Sequence, residues 1–349
     1  MKDLSLHRHS CRILLRRLNS VQYHPSHLQL RLDKGILGLY VDPVPELYTG
    51  VLREWVDKAN IESTRLVGYW VHKDGENIIM GQKPDEDERI VLFLHGGGYI
   101  HMTAHPSAMP SNIPRGIMEH CDTVRRYFAI EYRLTSIPPD PPQNPFPAAL
   151  VDALAAYTYL IKDVGCDPSK VLIVGDSAGG NLAQALTRYL IEYSGTGIGL
   201  PAPPGGIVLL SPWVDMTASH ASPDSSYFRF RSSDYIAAVK TPYQSNPPPN
   251  FVAPYAKDII ESPYISPASK RLVNVSFQGF PRTFICAGNA ELFYDEILAL
   301  QKLMTDELGE HWVTYFEGKD AFHDYLVFKR AEPERTETLR AISKWVVTL

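Results

Sequence analysis

The stretch Val171 to Asn181, VLIVGDSAGGN, decides how this chain is read. A run of aliphatic residues stops at Gly175, and a helical pattern, AGGNLAQALTRYLIEY, starts at Ala178. Between them, Gly175-Asp176-Ser177-Ala178-Gly179 matches G-x-S-x-G, the pattern of a serine on a sharp strand-to-helix turn. The pentapeptide alone arises by chance; strand, turn and helix in that order make it a nucleophile elbow. The hydroxyl of Ser177 is then presented at the C-terminal edge of a sheet, at a helix N-terminus.

Working upstream, residues 90 to 100 read IVLFLHGGGYI. Three adjacent glycines cost conformational entropy, so the loop needs positive φ angles or a close backbone approach. Acyl transfer through a serine supplies the reason. It generates a tetrahedral oxyanion, which fixed backbone N–H donors stabilise, each worth on the order of 3 kcal/mol. The expected donors are Gly97, Gly98 and Ala178. Gly96 and Asp176 are read as supporting residues, and His95 as an organiser of the loop rather than a base.

Downstream, the expected order is Ser, acid, His. Of the twelve histidines only His311 and His323 lie beyond the acid segment. His311 would enter a strand, so His323, in EGKDAFHDYLVF, is the expected base. The segment ICAGNAELFYDE offers Glu291, Asp295 and Glu296 as the acid that orients the imidazole. Glu291 sits in the loop just past the strand and is preferred. Asp295 is the alternative, one turn into a helix where Asp is common for dipole reasons alone.

Around these motifs short apolar strands alternate with helices, which argues for a mostly parallel sheet covered on both faces. Strands are expected at TRLVGYWVH, at a short run ending at Met80, and at Ile90 to Leu94. Others are expected at TVRRYFAIEYRL, KVLIVGD, GGIVLLSP, RTFICAG and HWVTYFEG. Helices are expected at VPELYTGVLREWVDKAN, PAALVDALAAYTYLIKDV, AGGNLAQALTRYLIEY, LFYDEILALQKLMTDEL and ERTETLRAISKWVVTL. Residues 213–267, rich in Pro, Ser, Tyr and Phe, interrupt the alternation. A compact domain rarely carries so long a structureless loop, so this segment reads as a cap or lid insertion. Residues 1–60 form a helical segment contributing to that cap, and 61–212 with 268–349 form the core.

Composition narrows the function. The chain has 349 residues, 44% hydrophobic and 21% charged, with a formal net charge of −5. That is globular composition, without the basic surface a nucleic-acid partner would favour. The four cysteines, Cys11, Cys121, Cys166 and Cys286, are scattered and have no metal-ligand spacing. No phosphate loop or dinucleotide fingerprint is present. No apolar run reaches the ~20 residues of a membrane span. The start, MKDLSLHRHSCRILLRRLNS, lacks the apolar region of a secretory signal and reads as an amphipathic helix. A soluble cytoplasmic protein is expected, with a homodimer left open.

With these motifs in order, the chain resembles the hormone-sensitive-lipase family of α/β-hydrolases, the α/β-hydrolase fold-3 group. The resemblance rests on HGGGY, YRL at Tyr132 to Leu134, PFPAALVDALAAY at Pro145 to Tyr157, and GDSAGGN. It continues through SPWVD at Ser211 to Asp215, SPYISP, AGNAELFYDE, and a late His followed by Tyr325. It implies an α/β-hydrolase fold with a helical cap over an apolar acyl pocket. The implied activity is that of a carboxylesterase, without cofactor or metal, acting on a small-molecule ester. The proline-rich insertion is similar to fungal members, including steryl-acetyl-hydrolase-like and secondary-metabolite enzymes. Two departures stand out. Glu291-Leu292 replaces the usual Asp-Pro, and YRLTSIPPDPPQNP replaces YRLAPE. Acyl transfer, lactonisation or cyclisation at the same site remains an alternative, as does a non-catalytic receptor of the gibberellin-receptor kind.

Overall fold

The computed structural model describes residues 28–33, 35–238, 247–255 and 257–349. The amphipathic segment expected at the start, Cys11 with it, and residues 239–246 of the expected cap lie outside these residues.

Eight strands form one sheet: β1 (Leu37–Val41), β2 (Leu66–His72), β3 (Arg89–Leu94), β4 (Val124–Ile130), β5 (Val171–Asp176), β6 (Gly206–Leu210), β7 (Arg282–Gly288) and β8 (Val313–Gly318). Their order across the sheet is β1-β2-β4-β3-β5-β6-β7-β8. β1 with β2 and β2 with β4 pair antiparallel; from β4 to β8 every pairing is parallel. Strands buried on both faces read as near-continuous apolar runs, and β3 and β5 are buried throughout, with Arg89 and Asp176 polar at their ends.

The period-2 alternation of the strands sorts the core into two layers. Ile90, Leu92, Leu94, Ile173, Ile207 and Leu209 face one way. That layer packs against α1 (Gly50–Ala59), α3 (Ala148–Thr158), α4 (Ala178–Glu192) and α5 (Tyr294–Leu308). Val91, Phe93, Leu172, Val174, Val208 and Phe284 face α2 (Asn112–His120) and α6 (Glu334–Val346). Both layers put helices on the sheet and leave the C-terminal ends of the parallel strands for loops.

The structure revises several expectations. β1 was unforeseen; its LGLYV sequence pairs at the sheet edge with half-exposed residues, so its alternation is weak. The strand expected to end at Met80 is absent, because both sides of β2 are already taken by β1 and β4. Ile79 is instead 74% exposed. The helix expected over Val44 to Asn60 breaks into a 3-10 turn, Pro45–Leu47, and α1. α2 was also unforeseen, since NIPRGIMEH carries a Pro and a Gly. α3 ends at Thr158 and continues as a wider π turn, Tyr159–Asp163.

Among its described residues, the insertion between β6 and β7 contains short helices, including Ser226–Arg229 and Pro249–Val252. It is tied to α1. Trp55 meets Tyr264 and Phe146 edge-on at 5.1 and 5.0 Å, and Tyr255 donates its hydroxyl to the Trp55 carbonyl at 2.7 Å.

Candidate active site

Ser177 lies between β5 and α4 with φ 50° and ψ −117°. That backbone is strained for a residue with a Cβ, and its surroundings hold it in place. The Ser177 N–H donates to the Leu210 carbonyl at 2.9 Å, and the Trp213 N–H donates to the Ser177 carbonyl at 3.0 Å. The flanking glycines act through space rather than flexibility. A Cβ on Gly179 would collide with the carbonyls of Leu94 and His95, and one on Gly175 with the backbone of Gly179 and Gly180. The small residues of the motif let α4 start against the ends of β3 and β5.

The glycine loop is organised from beneath. The Gly96 N–H donates to Asp176 Oδ1 at 3.0 Å, so that amide is occupied by the protein itself. His95 donates its Nδ1–H to the Gly96 carbonyl at 2.7 Å, and its ring stacks on Tyr132 at 4.3 Å. The Tyr132 hydroxyl donates to the His95 carbonyl at 2.6 Å. Gly97 has φ 108°, and a Cβ there would strike the His101 carbonyl. The loop continues to Tyr99, whose hydroxyl donates to Asn181 Oδ1 at 2.7 Å; Asn181 Nδ2 in turn donates to the Ile265 carbonyl at 2.8 Å. Glycine loop, α4 and insertion are thus joined through one amide side chain.

The structure brings Ser177, His323 and Glu291 together. His323 Nε2 lies 3.0 Å from Ser177 Oγ, and its Nδ1 lies 3.7 Å from Glu291 Oε2. All three side chains are buried. Phe293 lies edge-on to the imidazole at 5.0 Å and stacks on Trp213 at 6.0 Å. Asp295 is elsewhere; it accepts from the Ser226 N–H at 2.8 Å and faces Arg229. Glu296 accepts from the N–H groups of Val214 and Asp215 at 2.9 and 3.2 Å.

Two residues that the sequence reading passed over enter the network. Ser211, at the end of β6 with φ 42°, donates its hydroxyl to Glu291 Oε2 at 2.6 Å. It also accepts from the Asp324 N–H at 3.2 Å. Asp324 follows the base in sequence and puts Oδ2 3.0 Å from His323 Nε2. The available signals were the Ser-Pro pair closing LLSP and an acid directly after the late His.

The electrostatics follow from burial. Burial alone would lower the pKa of His323, but the carboxylates of Asp324 and Glu291 outweigh it and hold the imidazole well above its usual range. Burial raises Glu291, with His323 and Ser211 pulling back. Burial, then the neighbouring Asp324, raises Asp176. Burial also pushes Asp234, in the insertion, up to about 7. Its carboxylate accepts from the Leu292 N–H at 2.7 Å, beside Glu291. Among the described residues, no group of three or more His, Cys, Asp or Glu is placed to hold a metal ion.

Away from the site, Arg133 and Asp152 form a buried pair with several hydrogen bonds of 2.7 to 3.1 Å. Arg133 also donates to the Glu62 carbonyl at 2.8 Å. This pair accounts for the YRL and PAALVDAL segments as structural rather than chemical features.

A family model for the alpha/beta hydrolase fold matches residues 91–327. The chain belongs to the α/β-hydrolase family. It is similar to an acetyl-hydrolase of Streptomyces hygroscopicus, 28% identical over 274 residues, covering 75% of this chain and 77% of that protein. It is similar also to Esterase LipU of Mycobacterium tuberculosis, 27% identical over 269 residues, covering 75% and 78%. Among solved structures, an esterase from the bacterial hormone-sensitive lipase family superposes with a TM-score of 0.61 at 22% identity, over 100% of this α/β-hydrolase and 99% of that chain. An esterase/lipase from an uncultured bacterium gives 0.62 at 20% identity, covering 97% of each. The fold and family are those that the motifs implied. No described helix of this hydrolase is long and apolar enough to cross a membrane.

Proposed function

We propose that this α/β-hydrolase is a serine carboxylesterase working through an acyl-enzyme. Its family and its relatives, named as esterases and acetyl-hydrolases, support an ester hydrolase of this type. The observation that carries the serine mechanism is the line Ser177 Oγ, His323 Nε2, His323 Nδ1, Glu291, with separations of 3.0 and 3.7 Å.

In this reading the Ser177 hydroxyl gives its proton to Nε2 as its oxygen attacks the ester carbonyl. Glu291, 3.7 Å from Nδ1, orients the ring by its charge and stabilises the imidazolium. The N–H groups of Gly97, Gly98 and Ala178 receive the oxyanion; Gly96 is left out because its amide serves Asp176. The imidazolium then protonates the leaving alcohol, and water, activated by the same nitrogen, releases the acid. No cofactor enters these steps. The described part of the insertion together with α1 acts as the cap, with Tyr264 packed on Trp55 and Phe251 stacked on Tyr99 of the glycine loop. That cap suits an ester with an apolar acyl or alcohol group.

The test is hydrolysis of p-nitrophenyl esters from acetate to laurate by the wild type and Ser177→Ala side by side. Turnover by the wild type alone supports the mechanism, and the chain-length optimum sizes the acyl pocket. Equal rates, or no turnover by a folded wild type, would overturn it.

A further inference from the structure

His323 is approached by a carboxylate at each nitrogen. Glu291 faces Nδ1 at 3.7 Å, and Asp324 faces Nε2 at 3.0 Å. The second contact falls on the nitrogen that also lies 3.0 Å from Ser177 Oγ. One imidazole nitrogen cannot accept a proton from serine and donate one to a carboxylate at once. The two contacts are alternatives. With Nδ1–H toward Glu291 and a lone pair on Nε2, the ring is a base for Ser177. With both nitrogens protonated, Nε2–H points to Asp324 and Ser177 has no acceptor.

We propose that Asp324 is a positioning residue for the proton of His323, pairing with Nε2–H in the resting protein and competing with Ser177 for that nitrogen. The placement is built into the backbone. Asp324 has φ 51° and ψ 34°, a left-handed conformation in which Gly or Asn is more usual. Its N–H is held by Ser211 Oγ, the same hydroxyl that donates to Glu291, so the two carboxylates are set relative to one another through one side chain. Asp324 is buried, and its Oδ1 has no hydrogen-bond partner among the described residues. The carboxylate's strong contact is therefore the imidazole.

Four acidic groups surround that ring: Glu291 after β7, Asp324 on its own loop, Asp176 at the end of β5, and Asp234 from the insertion. Phe293 and Tyr235 cover it at 5.0 and 6.1 Å. Of the four, Asp324 alone meets the nitrogen that must take the serine proton. A carboxylate at that nitrogen stabilises the imidazolium, so the neutral base appears only as pH rises through the raised value. Activity should therefore climb with pH across that range, and removing the carboxylate should move the climb to lower pH.

The proposal rests on the serine-esterase reading for its consequence, and it is tested by a measurement that does not need turnover. The histidine rings of 15N-labelled protein are titrated by NMR in the wild type, Asp324→Asn and Asp324→Gly, with His323→Gln to assign the signal. Both variants suit the left-handed backbone, so either can carry the test if the other fails to fold. The expected wild-type midpoint lies above the usual value of about 6.5, and it falls by about one to three units in the variants. The acid limb of kcat/KM on p-nitrophenyl acetate should move down with it. At a pH one unit below the wild-type limb, the variants should be up to about tenfold faster. A ring midpoint unchanged by both substitutions, or one at or below the usual value in the wild type, overturns the proposal. If the wild type hydrolyses no ester, the esterase reading falls while the ring titration still decides the role of Asp324.

Discussion

Ser177 and His323 lie within hydrogen-bond reach of one another, but they are held by different means. Ser177 sits where a central strand, β5, meets α4, a helix buried at every position from Ala178 to Leu190. Its constraints are backbone on backbone: the Leu210 carbonyl, the Trp213 amide, and the glycines that let chain segments touch. His323 hangs on a loop after β8, the last strand of the sheet, and its partners arrive on other loops, Glu291 after β7 and Ser211 after β6. Side-chain charge and hydrogen bonds set that half. Substitutions in the first region should cost folding; those in the second should cost rate.

The comparison can be broken at four points. Glu291→Gln removes the charge that stabilises the imidazolium and should lower kcat on the order of 10³- to 10⁴-fold. Its melting temperature should stay within a few degrees of wild type, and a matching loss of stability would erase the distinction. Gly179→Ala drives a methyl into the Leu94 and His95 carbonyls and should destabilise by about 3 kcal/mol or more, read from urea unfolding. An unchanged urea midpoint would show that the elbow is not held by close approach. Ser211→Ala should lower kcat/KM about 10- to 100-fold, the worth of a hydrogen bond to a carboxylate, with little change in melting. Tyr255→Phe, which frees the Trp55 carbonyl, should cost about 1 kcal/mol and leave short-chain ester turnover unaltered.

What could be read from the sequence divides along the same line. The elbow and the glycine loop are contiguous, and their spacing is dictated by local backbone geometry, so Gly175, Ser177, Gly179 and Gly97 stood out from the string alone. His323 and Glu291 were reached by order along the chain and by position after a strand. Asp324 and Ser211 were quoted within motifs but given no part, because their roles exist only when loops from separate strands converge. β1 escaped for a related reason: five residues, exposed or half-buried except Val41, become a strand only when β2 offers an edge. Position just past the strand favoured Glu291, but residue type left Asp295 and Glu296 as neighbours without a stated task. Their actual partners, Ser226 and the amides of Val214 and Asp215, lie some seventy to eighty residues away in sequence.

The burial of α4 has a consequence for how the molecule fails. Amide exchange should be slowest through β5 and α4, where opening requires the whole sheet to part, and faster in the loops that carry His323 and Glu291. In rising denaturant the two partners of the reaction would therefore separate before the core melts. Inactivation would precede the loss of helical signal, leaving a compact protein that still presents its serine on an intact turn with no base beside it.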